Sequence, residues 1–414
     1  MYDRSSRRKV FRAILTILGC ALSVLGGYSA VTFLMQRDFA PVQEPTVEAP
    51  QPAEPEQPEE TPEEPTQPAE DPELEARHSR AQELLRDMSL EEKIYQLMFV
   101  RPEAITGVDQ VTVAGQTTQE SLGRCPVGGL VYRADNLESE DQAKELLEKT
   151  AAYLADDGQI APFLGVFDDG SETSPVAGDL AGETLDSFAT VGHSGSGGKA
   201  EQLGKALGKT LADYHFNVNL AAGAELSSDR SDCFSADGEE AAMMVSSYVT
   251  GLQSENVAAV LAHFPGEGAA ENGVCDKTEE ELRQSDLLPF TAGIEAGAAI
   301  IQVSTMTAPE LNTAPCCLSS AVMTDLLRDS LGFTGVILTD PLGGQTISAQ
   351  YDEAEAAILA LNAGADMLYE LNYPEGVYTA ILSAIQPGEL PEERIDESVT
   401  RILCAKLQLQ IIES

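Results

Sequence analysis

The strongest constraint on the fold is an alternation of short apolar segments with longer amphipathic ones, which begins near Glu75 and continues to the C-terminus. Segments of strand type recur eight times, and stretches with apolar residues at helical spacing lie between them. The predicted strands are 96–100, 128–132, 162–167, 217–221, 258–264, 298–304, 335–340 and 365–370, and the clearest helical stretches are 142–154, 200–214, 241–252 and 321–333. Near-continuous apolar strands joined by helices indicate a parallel sheet that is buried on both faces.

Eight such repeats over roughly 330 residues favour an α/β fold of the closed (β/α)8 type, a TIM-type barrel, over an open doubly wound sheet. The open sheet stays an alternative at this point. It is disfavoured because no Gly-rich phosphate-binding fingerprint opens any of the helical stretches. We therefore predict a single barrel domain over residues 81–414.

The N-terminal part of the chain has a different character. Residues 13–35 contain no charged residue and are long enough, at about 1.5 Å per residue, to cross a bilayer as a helix. Basic residues in 1–12 should keep that segment cytoplasmic, which places the Pro- and Glu-rich segment 36–80 and the barrel outside. We predict a single-pass cell-membrane protein with a disordered spacer and an extracytoplasmic barrel. A cleaved signal peptide and lipidation at Cys20 are the alternatives.

Composition excludes one class of partner. The chain has 68 acidic and 25 basic residues, and its net charge of -43 repels phosphate backbones. We therefore expect no nucleic-acid partner. We also predict no metal and no cofactor, because His78, His193 and His215 form no metal-ligand spacing and the seven cysteines include no CxxC pair.

Polar residues at predicted strand ends are the candidate functional residues, because in such barrels the site lies where strands run into their following loops. They include Asp168, Asn219, His263, Ser304 and Asp340. A carboxylate directly after an apolar strand, as at Asp340, is costly to bury without a partner or a role. A helix N-cap is the alternative role for Asp340.

Several colinear motifs carry a resemblance to a known family. They are "SLEEKIYQLMFV", "VGGLVYRADN", "LGKTLADYHFNVNLA", "GLQSENVAAVLAHFPGEG", "LSSAVMTDLLRDSLGFTGVILTDPL" and "RIDESVTRILCAKLQL". Together, from about residue 89 to 409, they resemble glycoside hydrolase family 3, in its single-domain β-N-acetylhexosaminidase branch. The resemblance implies a (β/α)8 barrel that hydrolyses O-glycosidic bonds of amino-sugar glycans with retention. Its carbohydrate partner would be an N-acetylglucosamine-containing glycan or a wall fragment.

The same resemblance assigns residue roles. Asp340, in "TDPL", takes the place of the family nucleophile, which forms a glycosyl-enzyme while a second group protonates the leaving oxygen. The usual proton donor is a His held by an Asp in a loop after "KHFPGHG", and these positions are Cys275 and Gly273 here. The catalytic loop is therefore degenerate. Glu267, or Glu271 in the same loop, is the candidate replacement acid.

Substrate-binding positions are partly retained. Asp168 is the candidate hydroxyl clamp on the sugar, with a helix or turn cap as its alternative. His263 is a candidate sugar ligand, with a hydrogen-bonded core imidazole as its alternative. The family Lys before this His is Ala262, and an expected Arg is Asp232, with Arg230 two positions away. Two hypotheses follow: a glycosidase with weakened activity, or a catalytically inactive descendant that binds a glycan or a protein outside the membrane.

Overall fold

The computed structural model describes residues 72–156, 159–221, 223–270 and 272–413. The predicted cytoplasmic segment, the predicted anchor and the spacer up to residue 71 lie outside these ranges. Among the described residues, no helix has the length and apolarity needed to cross a membrane.

The last part of the predicted spacer, residues 72–80, is helical. A helix begins at Pro72 and runs to Asp87, and it buries Ala81 and Leu85. Its Gln82 donates a hydrogen bond to Thr400 of the C-terminal helix Glu392–Gln408 (3.2 Å). Buried residues spaced four apart give this segment a packed face that the acidic, Pro-rich composition of its first residues did not reveal.

Eight parallel strands form one sheet, in the order β10-β1-β2-β3-β4-β5-β6-β9. All eight predicted strands are present, most of them shorter than predicted. Their bounds, together with a separate two-stranded hairpin (β7 and β8), are β1 Met98–Val100, β2 Gly129–Tyr132, β3 Phe163–Val166, β4 Val218–Asn219, β5 Ala258–Phe264, β6 Ile300–Val303, β7 Thr307–Ala308, β8 Asn312–Pro315, β9 Val336–Thr339 and β10 Leu368–Tyr369.

The sheet closes on itself between β9 and β10. Leu338 and Met367 form a parallel bridge, and Met367 exchanges backbone hydrogen bonds of 3.0 Å with Ile337 and Thr339. Closure leaves no exposed sheet edge at this position. The (β/α)8 prediction is therefore confirmed.

Helices surround the barrel and connect its strands. One predicted helix differs in type: Ala321–Ser330 is a π-helix, with the amide of Leu331 bonded to the carbonyl of Leu326. The α-helices are Pro72–Asp87, Leu90–Gln96, Pro102–Thr106, Gln116–Arg124, Glu140–Asp156, Phe188–His193, Gly197–Asp213, Gly238–Gln253, Glu279–Arg283, Leu287–Glu295, Gln345–Ser348, Glu353–Ala363, Pro374–Ile385 and Glu392–Gln408.

The hairpin β7–β8 follows β6 at the carboxyl end of the barrel, and it was not predicted. The loop after β5 pairs with it through a bridge between Val274 and Thr307. The amide of Cys275 donates to the Thr307 carbonyl (2.9 Å), and the amide of Thr307 donates to the Gly273 carbonyl (3.0 Å). Backbone hydrogen bonds therefore hold the two loops together.

One carboxylate next to β10 is buried beneath three arginines. Asp366 is fully buried, and its oxygens lie 2.6 Å from Arg328, 3.0 Å from Arg401 and 3.4 Å from Arg394. Burial alone would raise the pKa of this carboxyl, but the three guanidinium groups hold it below the usual value. This cluster ties the π-helix and the C-terminal helix to the barrel.

A lysine is also fully buried, without an acidic partner among the described residues. Lys406 donates from Nζ to Oε1 of Gln96 (2.8 Å) and lies 5.0 Å from the ring centre of Phe163. Removal from water lowers the pKa of its ammonium group well below the usual value. The fold therefore strongly disfavours the charged form of this side chain.

Candidate active site

Asp340 follows β9 at the carboxyl end of the barrel, where its side chain is 6% exposed. Its two oxygens accept separate hydrogen bonds, from Nε2 of Gln302 and from the backbone amide of Thr305, each 2.8 Å long. Burial raises the pKa of Asp340, and the charge of His263 and the Thr305 amide oppose that rise. The carboxylate is held in one orientation by donors from the neighbouring strand and its loop.

His263, in β5, lies beside Asp340. Its Nε2 is 3.7 Å from Oδ1 of Asp340, and its Nδ1 is 3.4 Å from Oε1 of Glu225 and 3.9 Å from Oε2 of Glu267. Burial alone would lower its pKa, but the contact with Glu225 and the charges of the three carboxylates raise it to about 9. An imidazolium at neutral pH therefore favours the ionised form of Asp340.

Glu225 is a site residue that the sequence analysis missed. It lies in the loop after β4, is 3% exposed, and accepts hydrogen bonds from Arg230 and from the backbone amide of Glu267 (3.2 Å). Burial would raise its pKa, but His263 and Arg230 lower it. Its position shortly after a predicted strand was the only signal in the sequence.

Glu267 is brought into the same group of side chains. It begins the 3-10 turn Glu267–Ala269 and is about a third exposed, at 34%. Ser304 donates a hydrogen bond to its Oε1, while its Oε2 faces His263. Asp340 and Glu267 thus both lie beside the imidazole of His263. Glu271, the other candidate acid, lies outside the described residues.

Asp168 caps a turn, which was the alternative to its predicted role as a sugar-binding residue. Its carboxylate is fully buried and accepts hydrogen bonds from the amides of Gly170 (3.0 Å), Val176 (2.8 Å) and Ala177 (3.0 Å). These bonds fold the loop after β3 back onto the end of its strand. A contact between Asp168 and a sugar stays a prediction.

Cys275, at the position of the family His, is fully buried. Its backbone amide bonds to Thr307, and its side chain belongs to the hydrophobic core. A core thiol cannot reach a leaving oxygen, so Cys275 does not replace the missing proton donor.

The space beside His263 is small in this conformation. A cavity of about 20 Å³ is lined by residues that include Phe167, Glu225, Arg230 and Asp232. That volume holds roughly one water molecule. Arg230 lines it, and its guanidinium bonds to Glu225 and pairs with Asp232 at 2.9 and 2.6 Å. A cavity of this volume is too small for a sugar ring.

A closed parallel barrel with a buried carboxylate at the carboxyl ends of its strands has the organisation of a (β/α)8 enzyme. The sequence model of the glycosyl hydrolase family 3 N terminal domain matches residues 89–405, and the chain belongs to this family. That match confirms the family assignment made from the motifs.

Similar proteins agree with this assignment. The chain is 24% identical over 332 residues to beta-hexosaminidase A of Pseudoalteromonas piscicida, a match that covers 71% of the chain and 55% of that protein. It is 29% identical over 292 residues to a beta-hexosaminidase of Nitrosomonas eutropha, covering 66% and 82% of the two chains. The chain spans about half the length of the Pseudoalteromonas protein.

Solved structures show the same fold. A family 3 beta-N-acetylglucosaminidase from Paenibacillus sp. superposes with a TM-score of 0.72 at 24% identity, covering 79% of this chain and 64% of that one. A beta-N-acetylhexosaminidase from Beutenbergia cavernae gives 0.68 at 25% identity, covering 77% and 99%.

Proposed function

We propose that this protein is a retaining glycoside hydrolase of the β-N-acetylhexosaminidase type, with Asp340 as nucleophile and Glu267 as acid and base. The observation that carries the proposal is the arrangement of these two carboxylates on either side of His263, at the carboxyl end of the barrel. Relatives described as beta-hexosaminidases support the substrate class.

In this mechanism Asp340 attacks the anomeric carbon while Glu267 donates a proton to the leaving oxygen. A water molecule, deprotonated by Glu267, then attacks the glycosyl-enzyme and releases the sugar with retained configuration. Gln302 and the Thr305 amide orient the attacking carboxylate. The charge of His263 opposes the rise in the pKa of Asp340 that burial causes, and His263 offers a sugar contact.

The test is hydrolysis of chromogenic β-N-acetylglucosaminides by the wild-type chain, Asp340→Asn and Glu267→Gln. We expect Asp340→Asn to lose all measurable turnover. Glu267→Gln should lose about 10²- to 10⁴-fold with an alkyl leaving group, and much less with a dinitrophenyl one, which departs without protonation. Asp276→Asn, an exposed residue of the same loop, is the matched control and should keep full activity.

Equal background from wild type and Asp340→Asn would reject hydrolysis. The inactive alternative, a protein that binds a glycan or a wall-associated protein outside the membrane, would then stand. The missing His and Asp of the family loop motivate that alternative.

We also propose that residues 13–35 anchor the protein in the cell membrane, with the barrel on the extracytoplasmic side and a glycan or wall fragment as its substrate. The uncharged run and its basic flank support this location. Membrane fractionation and protease treatment of intact cells test it. Recovery of the chain in the soluble cytoplasmic fraction would contradict it.

A further inference from the structure

Three side chains in the site have the chemistry of metal ligands. Glu225, His263 and Glu267 each offer one ligand atom, and these atoms lie within 4.8 Å of one another. They come from three segments of the barrel mouth: the loop after β4, strand β5 and the turn after β5. The set could not be found from sequence spacing, because Glu225 is remote from the other two along the chain.

The distances fit a small transition-metal ion. Bonds of about 2.0–2.2 Å in a tetrahedral site place ligand atoms roughly 3.4 Å apart. Nδ1 of His263 is already 3.4 Å from Oε1 of Glu225, and 3.9 Å from Oε2 of Glu267. A shift of about half an ångström in the Glu267 side chain, which is about a third exposed, brings its Oε2 to the tetrahedral ligand spacing from Nδ1 of His263.

The imidazole is oriented as a ligand requires. His263 Nδ1 is buried and makes no well-aligned hydrogen bond, although it points between two carboxylates. Its other nitrogen faces Asp340 at 3.7 Å. Histidines that bind metals commonly direct their second ring nitrogen at a carboxylate in this way.

The charge around this group also favours a cation. Asp340, Glu225 and Glu267 surround the imidazole, and the nearest guanidinium, that of Arg230, is shared between Glu225 and Asp232. Four carboxylates thus share this region with one guanidinium and one imidazole, so the group stays net negative even when His263 is protonated. The net charge of -43 on the whole chain further raises the local concentration of cations.

We propose that Glu225, His263 and Glu267 bind one divalent transition-metal ion of the zinc type, with the remaining coordination positions open to water. The ion displaces the proton from Nδ1 of His263 to solvent, because only the neutral imidazole binds a metal. Imidazole and carboxylate together suit zinc better than calcium or magnesium. Coordination occupies the carboxylate that we assign as the acid, so the ion inhibits hydrolysis. Only this inhibition rests on the proposed function; metal binding does not.

The test is calorimetric titration of the chelator-treated, dialysed full chain with zinc chloride, in the absence of substrate. We expect one site per chain. Glu267→Gln should weaken zinc binding at least about 10-fold, and Asp276→Asn should leave it within twofold. Cobalt(II) provides a second readout, because its visible spectrum should show a tetrahedral nitrogen and oxygen site without a thiolate charge-transfer band.

Absence of zinc binding, equal affinity in wild type and Glu267→Gln, or a thiolate band that assigns the ion to cysteine would each overturn the proposal. Thermal melting of metal-free Glu267→Gln checks that its fold is intact, and Glu225→Gln repeats the test if it is not. Because substrate takes no part in this titration, a lack of hydrolysis does not affect its result.

Discussion

The side-chain amide of Gln302 donates a hydrogen bond to Asp340 across neighbouring strands, with 2.8 Å between Nε2 and Oδ1. Gln302 is buried within β6, and Asp340 follows directly after β9. The orientation of the candidate nucleophile is therefore set partly by the rigid barrel and not only by a loop.

Replacing Gln302 with Met removes this donor while nearly conserving side-chain volume. A hydrogen bond to a charged group is worth about 1.5–3 kcal/mol, so we expect kcat to fall about 10- to 100-fold with little change in KM. Steady-state kinetics measure this effect. Gln350→Met, at an exposed position, is the control, and full activity of Gln302→Met would show that the amide does not orient Asp340.

Asp168→Asn should loosen the loop after β3. The amide nitrogen that replaces one carboxylate oxygen accepts no hydrogen bond, so the variant keeps an acceptor for the Gly170 amide or for the Val176 and Ala177 amides, but not for all three. We expect a loss of about 1–3 kcal/mol in the free energy of unfolding, measured with urea. Asp179→Asn, exposed in the same loop, should be neutral. Unchanged stability with a raised KM would instead favour the sugar-clamp role.

Asp366→Asn leaves three arginines without their shared carboxylate, and we expect it to cost about 3–5 kcal/mol of stability. The folded state lowers the pKa of Asp366 below 3.8, so its contribution is fully present at neutral pH and is lost as pH falls through that lower value. Urea unfolding at pH 7 and pH 3 should therefore show a smaller difference between wild type and variant at the lower pH. Exposed Asp325→Asn serves as control; equal stability of the Asp366 variant at pH 7 would contradict this account.

Lys406→Met should reveal the effect of burying an amine. The unfolded chain holds a proton on Lys406 up to about pH 10.4, whereas the folded chain holds it only at lower pH. Wild-type stability should therefore rise relative to the variant between pH 7 and pH 9.5. Lys406→Met also leaves Gln96 Oε1 without its donor. The double variant Gln96→Met/Lys406→Met removes both partners, so its stability is compared with that of wild type at each pH. A difference that is independent of pH would contradict the lowered pKa.

The barrel could be predicted because its signal is local: each strand is a short apolar run, and the helices between strands have apolar residues at helical spacing. The start of the helix at Pro72 could not be predicted, because its first residues continue the acidic composition of the preceding segment. Its buried residues are recognised only from their packing in the fold. The hairpin β7–β8 was missed for a related reason. Its strands Thr307–Ala308 and Asn312–Pro315 are short and polar.

The site was only partly predictable. Asp340, His263 and Glu267 were found from their positions at strand ends and in the loop after β5, and the structure brings these three together. Glu225 was missed because its importance lies in a contact with His263 that sequence separation hides. The capping bonds of Asp168 depend on how the nine following residues fold back, which no local pattern specifies.

The bridge between Val274 and Thr307 has an evolutionary consequence. Because backbone atoms of the two loops bond to each other, the length of one loop sets the register available to the other. Insertions and deletions in 272–278 and 305–315 should therefore occur together among relatives that keep this arrangement, and lineages that change one loop alone should have lost the pairing.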